Sequence, residues 1–143
     1  MSYLSRAISL LQHGGYTCIL CDRDRTMTDK KTGIAPLLER ISEREPLQGM
    51  CVADRIIGKA AALLLLHAGV SAVYGEVMSE QAFRLLTQAG LTVRYGTLVP
   101  FIQNRAGTDR CPMERAVEAV DDPAQAPAAL RAALAALKAQ ANS

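Results

Sequence analysis

The sequence predicts an α/β fold, a three-layer α/β/α sandwich around a mixed sheet of four or five strands. Three observations carry that prediction. The first is a run in which a helix ends at Ala68-Gly69, a strand Val70–Val77 follows, a second helix ends at Ala89-Gly90, and a strand Leu91–Tyr95 follows. Helix, glycine and strand, twice over, is the grammar of parallel crossovers. The second is a hairpin signature upstream, with Tyr16–Cys21 and Thr26–Thr28 flanking the polar turn Asp22-Arg23-Asp24-Arg25. The third is composition: 50% of the 143 residues are apolar but only 4% aromatic, with no Trp, so the core is aliphatic.

The elements follow in order. Ser2–Gln12 places Leu4, Ala7, Ile8 and Leu11 on one helical face and stops before Gly14-Gly15. After the hairpin, which is expected at one edge of the sheet, Gly33-Ile34-Ala35-Pro36 opens an amphipathic helix whose buried side is Leu37, Leu38 and Ile41. A helix is expected from about Ala53 to Ala68, and another from Ser79, placed as its N-cap. Thr97–Gln103 is read as a short helix, 104–110 as a polar loop, and Cys111 to about Val120 as a helix with Pro112 at its first position. One domain over residues 1–120, a linker 121–127 and an Ala/Leu-rich helix 128–143 complete the reading. In that last helix Leu130, Leu134 and Leu137 form a narrow stripe fit to dock on the domain or on a second copy.

Composition excludes several classes of function. A net charge of +2, from 16 basic and 14 acidic residues, gives no reason for nonspecific nucleic-acid binding. The longest apolar run, Ala60–Leu66, is too short to span a bilayer, and the first residues lack the pattern of a signal peptide. Cys18, Cys21, Cys51 and Cys111 are expected as reduced thiols in a cytoplasmic protein, because an Ala-rich domain of this size needs no disulfide.

Two segments carry candidate chemistry. In Gly49–Leu63 a thiol and a carboxylate, Cys51 and Asp54, stand at the expected start of an apolar helix, with Lys59 one turn on. A helix N-terminus offers unpaired N–H groups and partial positive charge. Zinc-dependent deaminases put a His or Cys, any residue, then Glu at such a start, and two thiolates of a Pro-Cys-x-x-Cys at the next. Here Asp54 stands where the carboxylate would, but Val52 cannot bind zinc, Cys51 is one position off, and Ser79 and Ala82 replace the thiolates. No metal and no cofactor is therefore implied. The plainer role for Asp54 is a helix N-terminal carboxylate, and for Lys59 a solvated partner.

The second segment is Asn104–Glu114. Cys111 as N-cap and Glu114 at the third helical position would make a capping box with a thiol in the place of Ser or Thr. A thiol there, beside Arg110 and Arg105, is placed for reactivity; the alternative is a small buried hydrophobe. Cys18-Ile19-Leu20-Cys21 has the C-x-x-C spacing, but on a strand its sulfurs point to opposite faces. His13 and His67 sit near helix ends, where a capping role suffices.

Four blocks, residues 14–21, 53–63, 73–80 and 104–114, resemble a bacterial domain-of-unknown-function family numbered 1893, over roughly residues 3 to 120, with the Ala-rich tail outside. The resemblance implies a cytidine-deaminase-like α/β/α fold lacking the zinc ligands, and no substrate. From residues and resemblance together, both segments are expected to converge on one small-ligand site. Asp54 and Cys111 would be its reacting groups, and Cys51, Lys59, Ser79, Asn104 and Arg105 its ligand contacts. The ligand would be small and anionic or nucleotide-like, with thiol-based chemistry if there is a reaction. Two alternatives stand beside that reading: a catalytically silent sensor or interaction module, as a homodimer joined through the Leu130/Leu134/Leu137 stripe, and a metal site made by Cys51 and Cys111.

Overall fold

The computed structural model describes residues 2–104 and 106–141. The elements run α1 (Tyr3–His13), β1 (Cys18–Cys21), β2 (Thr26–Asp29), α2 (Ala35–Ser42), β3 (Cys51–Ile57), α3 (Lys59–Ala68), β4 (Ala72–Ser79), α4 (Glu80–Gln88), β5 (Thr92–Val99), α5 (Pro112–Ala116), a 3-10 turn (Pro123–Gln125) and α6 (Ala126–Ala141). The five strands form one mixed sheet in the order β2-β1-β3-β4-β5. β1 is antiparallel to β2 and β3, while β3, β4 and β5 are parallel. The hairpin therefore occupies one edge and the crossovers the other, as the sequence predicts.

Two cores flank the sheet. α1 covers one face with Leu4, Ala7, Ile8 and Leu11, packed on Ile19, Cys21, Ala53, Ala72 and Tyr74. The larger core lies on the other face and is centred on α3, whose residues Lys59 to Leu65 are all buried. A helix apolar all round belongs inside, and each of its buried leucines is worth about 1.5–3 kcal/mol of transfer free energy. Cys18 faces the larger core and Cys21 the smaller, so the C-x-x-C sulfurs do point apart.

The sheet carries one irregularity shared by three strands. Val52 and Ile57, like Val73 and Met78, lie five residues apart yet belong to the larger core, and Val93 and Leu98 both pack against it. Strict alternation would send such pairs to opposite faces. The alternation slips at the level of Arg55, Glu76 and Gly96, residues that the ladder skips. There the strands crowd: a Cβ on Gly96 would lie 2.7 Å from the Glu76 carbonyl oxygen. Beyond the slip Ile56, Val77 and Val99 line a shallow groove together with Pro100, Phe101 and Ile102.

Several expected boundaries move. The helix expected from Ala53 begins at Lys59, and Cys51–Ile57 is the central strand, paired on both sides. Ala53, Ile56, Ile57 and Ala60 mimic a helical period, but Gly58 separates a β-prone run from the Ala/Leu run that is the true helix. Thr97–Val99 completes β5 instead of opening a helix. The helix begun at Pro112 stops at Ala116, short of Val120. The 121–127 segment is no free linker: the Asp122 side chain accepts from Ala124 N (3.0 Å), and Ala126 and Pro127 are buried. Leu130 is fully buried and Leu134 packs against the same core, so two members of the leucine stripe are used within the chain while Leu137 is exposed.

Candidate functional site

A concavity lies where strands end and helices begin, the usual place for ligands in α/β sheets. Lys59 opens α3 directly after β3, and Ser79 ends β4 while capping α4. Around them Gln81, Arg84, Phe101, Ile102, Arg110, Glu114 and Glu118 close a pocket of about 330 Å³.

Glu114 organises its floor. One carboxylate oxygen accepts the backbone N–H of Lys59 at 2.7 Å, and the other that of Ala60 at 2.8 Å. These are two of the donors a helix start leaves without an intrahelical acceptor, so Glu114 caps α3 from 54 and 55 residues away. Gly58 makes room for it, since a Cβ there would collide with the carboxylate. Its backbone is extended, with φ −105°, so glycine serves space here and not conformation. The capping box expected within Cys111–Glu114 does not form: Cys111 is the N-cap but makes no side-chain cap bond, its backbone N–H donates to the Ile102 carbonyl at 3.0 Å, and the Glu114 carboxylate reaches to α3 instead.

Lys59 is only 6% exposed. Its ammonium donates to the Glu118 carbonyl at 3.1 Å. Among the described residues it enters no ion pair. Burying a charge without a counter-charge is costly, so this side chain is the anomaly of the site. Arg84 is exposed and also enters no ion pair among the described residues. Arg110 pairs with Glu118 at 3.2 Å and lies over the Phe101 ring, 5.8 Å from its centroid. Ser79 is buried, and its hydroxyl oxygen accepts from Ala82 N at 3.1 Å, the N-cap the sequence predicts.

Of the expected site residues, then, Lys59 and Ser79 line the pocket, and the start of α3 does meet the Asn104–Glu114 segment. Asp54 lies within β3, opposite Cys18 and Gly75, and not at a helix start. Directly opposed residues share a face, so Asp54 looks with Cys18 toward the larger core. Burial pushes its carboxyl up to about 7, against weaker opposing pulls from the backbone N–H groups of Ile56 and Arg55 and from the Cys18 thiol. Burial, then the nearby Asp54, likewise pushes the Cys18 thiol well up. Cys51 stands at the far end of β3, about 20 Å from the pocket at 3.3 Å per residue, where it faces Cys21 across the β1–β3 ladder. It cannot share a metal with Cys111. Cys111 is half-buried against the larger core and does not line the pocket. Asn104 braces its own loop: its side-chain oxygen accepts from Thr108 N at 3.0 Å and its amide donates to the Thr108 hydroxyl at 3.2 Å. Arg105 lies outside the described residues.

The donor set does not suit zinc. The two helix starts read Gly58-Lys59-Ala60 and Ser79-Glu80-Gln81-Ala82, the pocket lining holds neither imidazole nor thiol, and both Glu114 oxygens are engaged by backbone. No cluster of three or more His, Cys, Asp or Glu residues fit for a metal occurs among the described residues. Gln81, Arg84, Phe101 and Glu118 also line the pocket, and no sequence motif marks them. Each is exposed or lies outside a regular buried face, so local periodicity does not single it out.

Comparison with known proteins agrees with this architecture. The family described as Domain of unknown function (DUF1893) matches residues 6–134, which extends the likeness past residue 120 into α6. The chain is similar to a DUF1893 family protein from Thermotoga maritima, with 27% identity and a TM-score of 0.79 over 93% of this chain and 88% of that one. A diaminohydroxyphosphoribosylaminopyrimidine deaminase/5-amino-6-(5-phosphoribosylamino)uracil reductase from the same organism aligns at 14% identity and a TM-score of 0.45, over 66% of this chain and 35% of that one. No curated protein matches.

Proposed function

The chain belongs to the DUF1893 family, and from its pocket we propose that it binds a small anionic or nucleotide-like ligand. The observation that carries this reading is Lys59: a buried ammonium on the floor of a pocket, with no carboxylate partner among the described residues. A ligand anion would supply the missing counter-charge. Arg84 stands free to join it, and Arg110 can exchange Glu118 for it. The first turn of α4 adds backbone donors of the kind that hold phosphate and carboxylate groups. Phe101, 45% exposed at the rim, offers a flat face to a planar ring. Ion-pair recognition is favoured over thiol transfer, because the Cys111 side chain is turned into apolar surroundings.

Isothermal titration with inorganic phosphate, a nucleoside monophosphate and a dicarboxylate tests the proposal. At least one probe is expected to bind, and Lys59→Met, which keeps the length of the stem, should weaken it tenfold or more, about 1.4 kcal/mol or above. Failure of every anion to bind the wild-type chain, or equal binding by Lys59→Met, would remove the reading.

A further inference from the structure

The two edges of the sheet are built differently. The β2 edge is four residues long and set between charges, Asp22 to Arg25 on one side and Asp29 to Lys31 on the other. Short length and charge are the devices by which proteins keep sheet edges from pairing. The β5 edge has neither: Thr92–Val99 runs eight residues, mostly exposed, with Arg94 as its one charge. On one face α4 supports it, with Phe83 and Tyr95 edge to face at 5.6 Å. At its end it adjoins the apolar groove of Ile56, Val77 and Val99, where Ile56 is 54% exposed.

We infer that this edge is an interface, and that its occupant is β5 of a second copy, added antiparallel about a two-fold axis to make a continuous ten-stranded sheet. The phase slip in the strand supports that occupant. Directly opposed residues in an antiparallel pair share a face. A strictly alternating strand paired with itself therefore needs its two-fold axis on a residue. Here Val93 and Leu98, five apart, both pack toward the larger core, which moves the matching axis to between Tyr95 and Gly96. About that axis Val93 of one copy lies opposite Leu98 of the other, and Thr92 opposite Val99, so all eight residues are used. Arg94 falls opposite Thr97, so no like charges meet. This surface is separate from the leucine stripe on α6 and does not depend on the pocket reading.

Sedimentation velocity on the full chain across a concentration series tests it, with two substitutions at the exposed Thr97. Thr97→Lys would set a cation against Arg94 twice per dimer, and Thr97→Glu would set an anion there. A wild-type dimer whose dissociation constant rises about tenfold in Thr97→Lys and falls in Thr97→Glu is the expected result, with unchanged Tm at low concentration. A wild-type chain that stays monomeric at roughly 100 μM (a free energy of association weaker than about 5.5 kcal/mol) overturns the proposal. So does a dimer indifferent to both substitutions.

Discussion

Glu114 and Asp54 each bring a carboxylate to the neighbourhood of β3, and they are treated in opposite ways. Glu114 arrives from a distant helix and finds two backbone donors at 2.7 and 2.8 Å. Asp54 belongs to the strand itself, lies close under the larger core, and is held more loosely, by Ile56 N at 3.5 Å and by weaker pulls from Arg55 N and the Cys18 thiol. One carboxylate completes a helix start beside a pocket. The other has its ionisation pushed to about 7 by burial, outside the lining of that pocket. A perturbed carboxyl is often a sign of a working site. Here the strongly perturbed group is the secluded one, and the well-satisfied group borders the concavity, so position has to be read together with perturbation.

The largest way to break the comparison is Gly58→Ala. The added methyl displaces the Glu114 carboxylate and strips α3 of both donors' acceptor, at a cost of about 3 kcal/mol in urea unfolding. Asp54→Asn acts in the opposite sense and depends on pH. The folded pKa of Asp54 lies above its unfolded value of about 4. Its favourable contribution is therefore complete at or below that value and is lost as pH rises through about 7. At pH 8 Asp54→Asn should be more stable than wild type by about 2 kcal/mol, and at pH 4 the advantage should vanish or reverse. A gain that is independent of pH would show that Asp54 is not the group responsible. Glu114→Gln keeps one acceptor and loses the charge at the helix start, for about 1–2 kcal/mol, which guanidinium melts would resolve. Smallest of all, Cys111→Ser should lower stability by about 1 kcal/mol or less and leave titrations with phosphate unchanged. A loss of binding there would return the thiol to the site.

What could be read from the residues was the punctuation. Gly69 and Gly90 mark the ends of α3 and α4, Ser79 caps α4, and the charged turn at 22–25 makes the hairpin, because each of these is settled by local chemistry. The start of α3 is hidden because Ala53 to Ala60 satisfies a helical period, and burial on both faces of a central strand masks its own alternation. The site divided along the same line. Lys59 and Ser79 are visible from their helix starts. Glu114's true task is not, since nothing in a stretch of sequence shows which helix a carboxylate fifty-five residues away will cap.

That cap also sets an order on the making of the molecule. As β4 and β5 emerge from the ribosome, α3 has its leucines and a sheet to cover, yet the acceptor for its first two amides has still to emerge. A nascent chain arrested anywhere before residue 114 holds its central helix with an open start. The domain therefore closes late and from its far end, and hydrogen exchange at Lys59 and Ala60 is the place where completion of the chain would be felt.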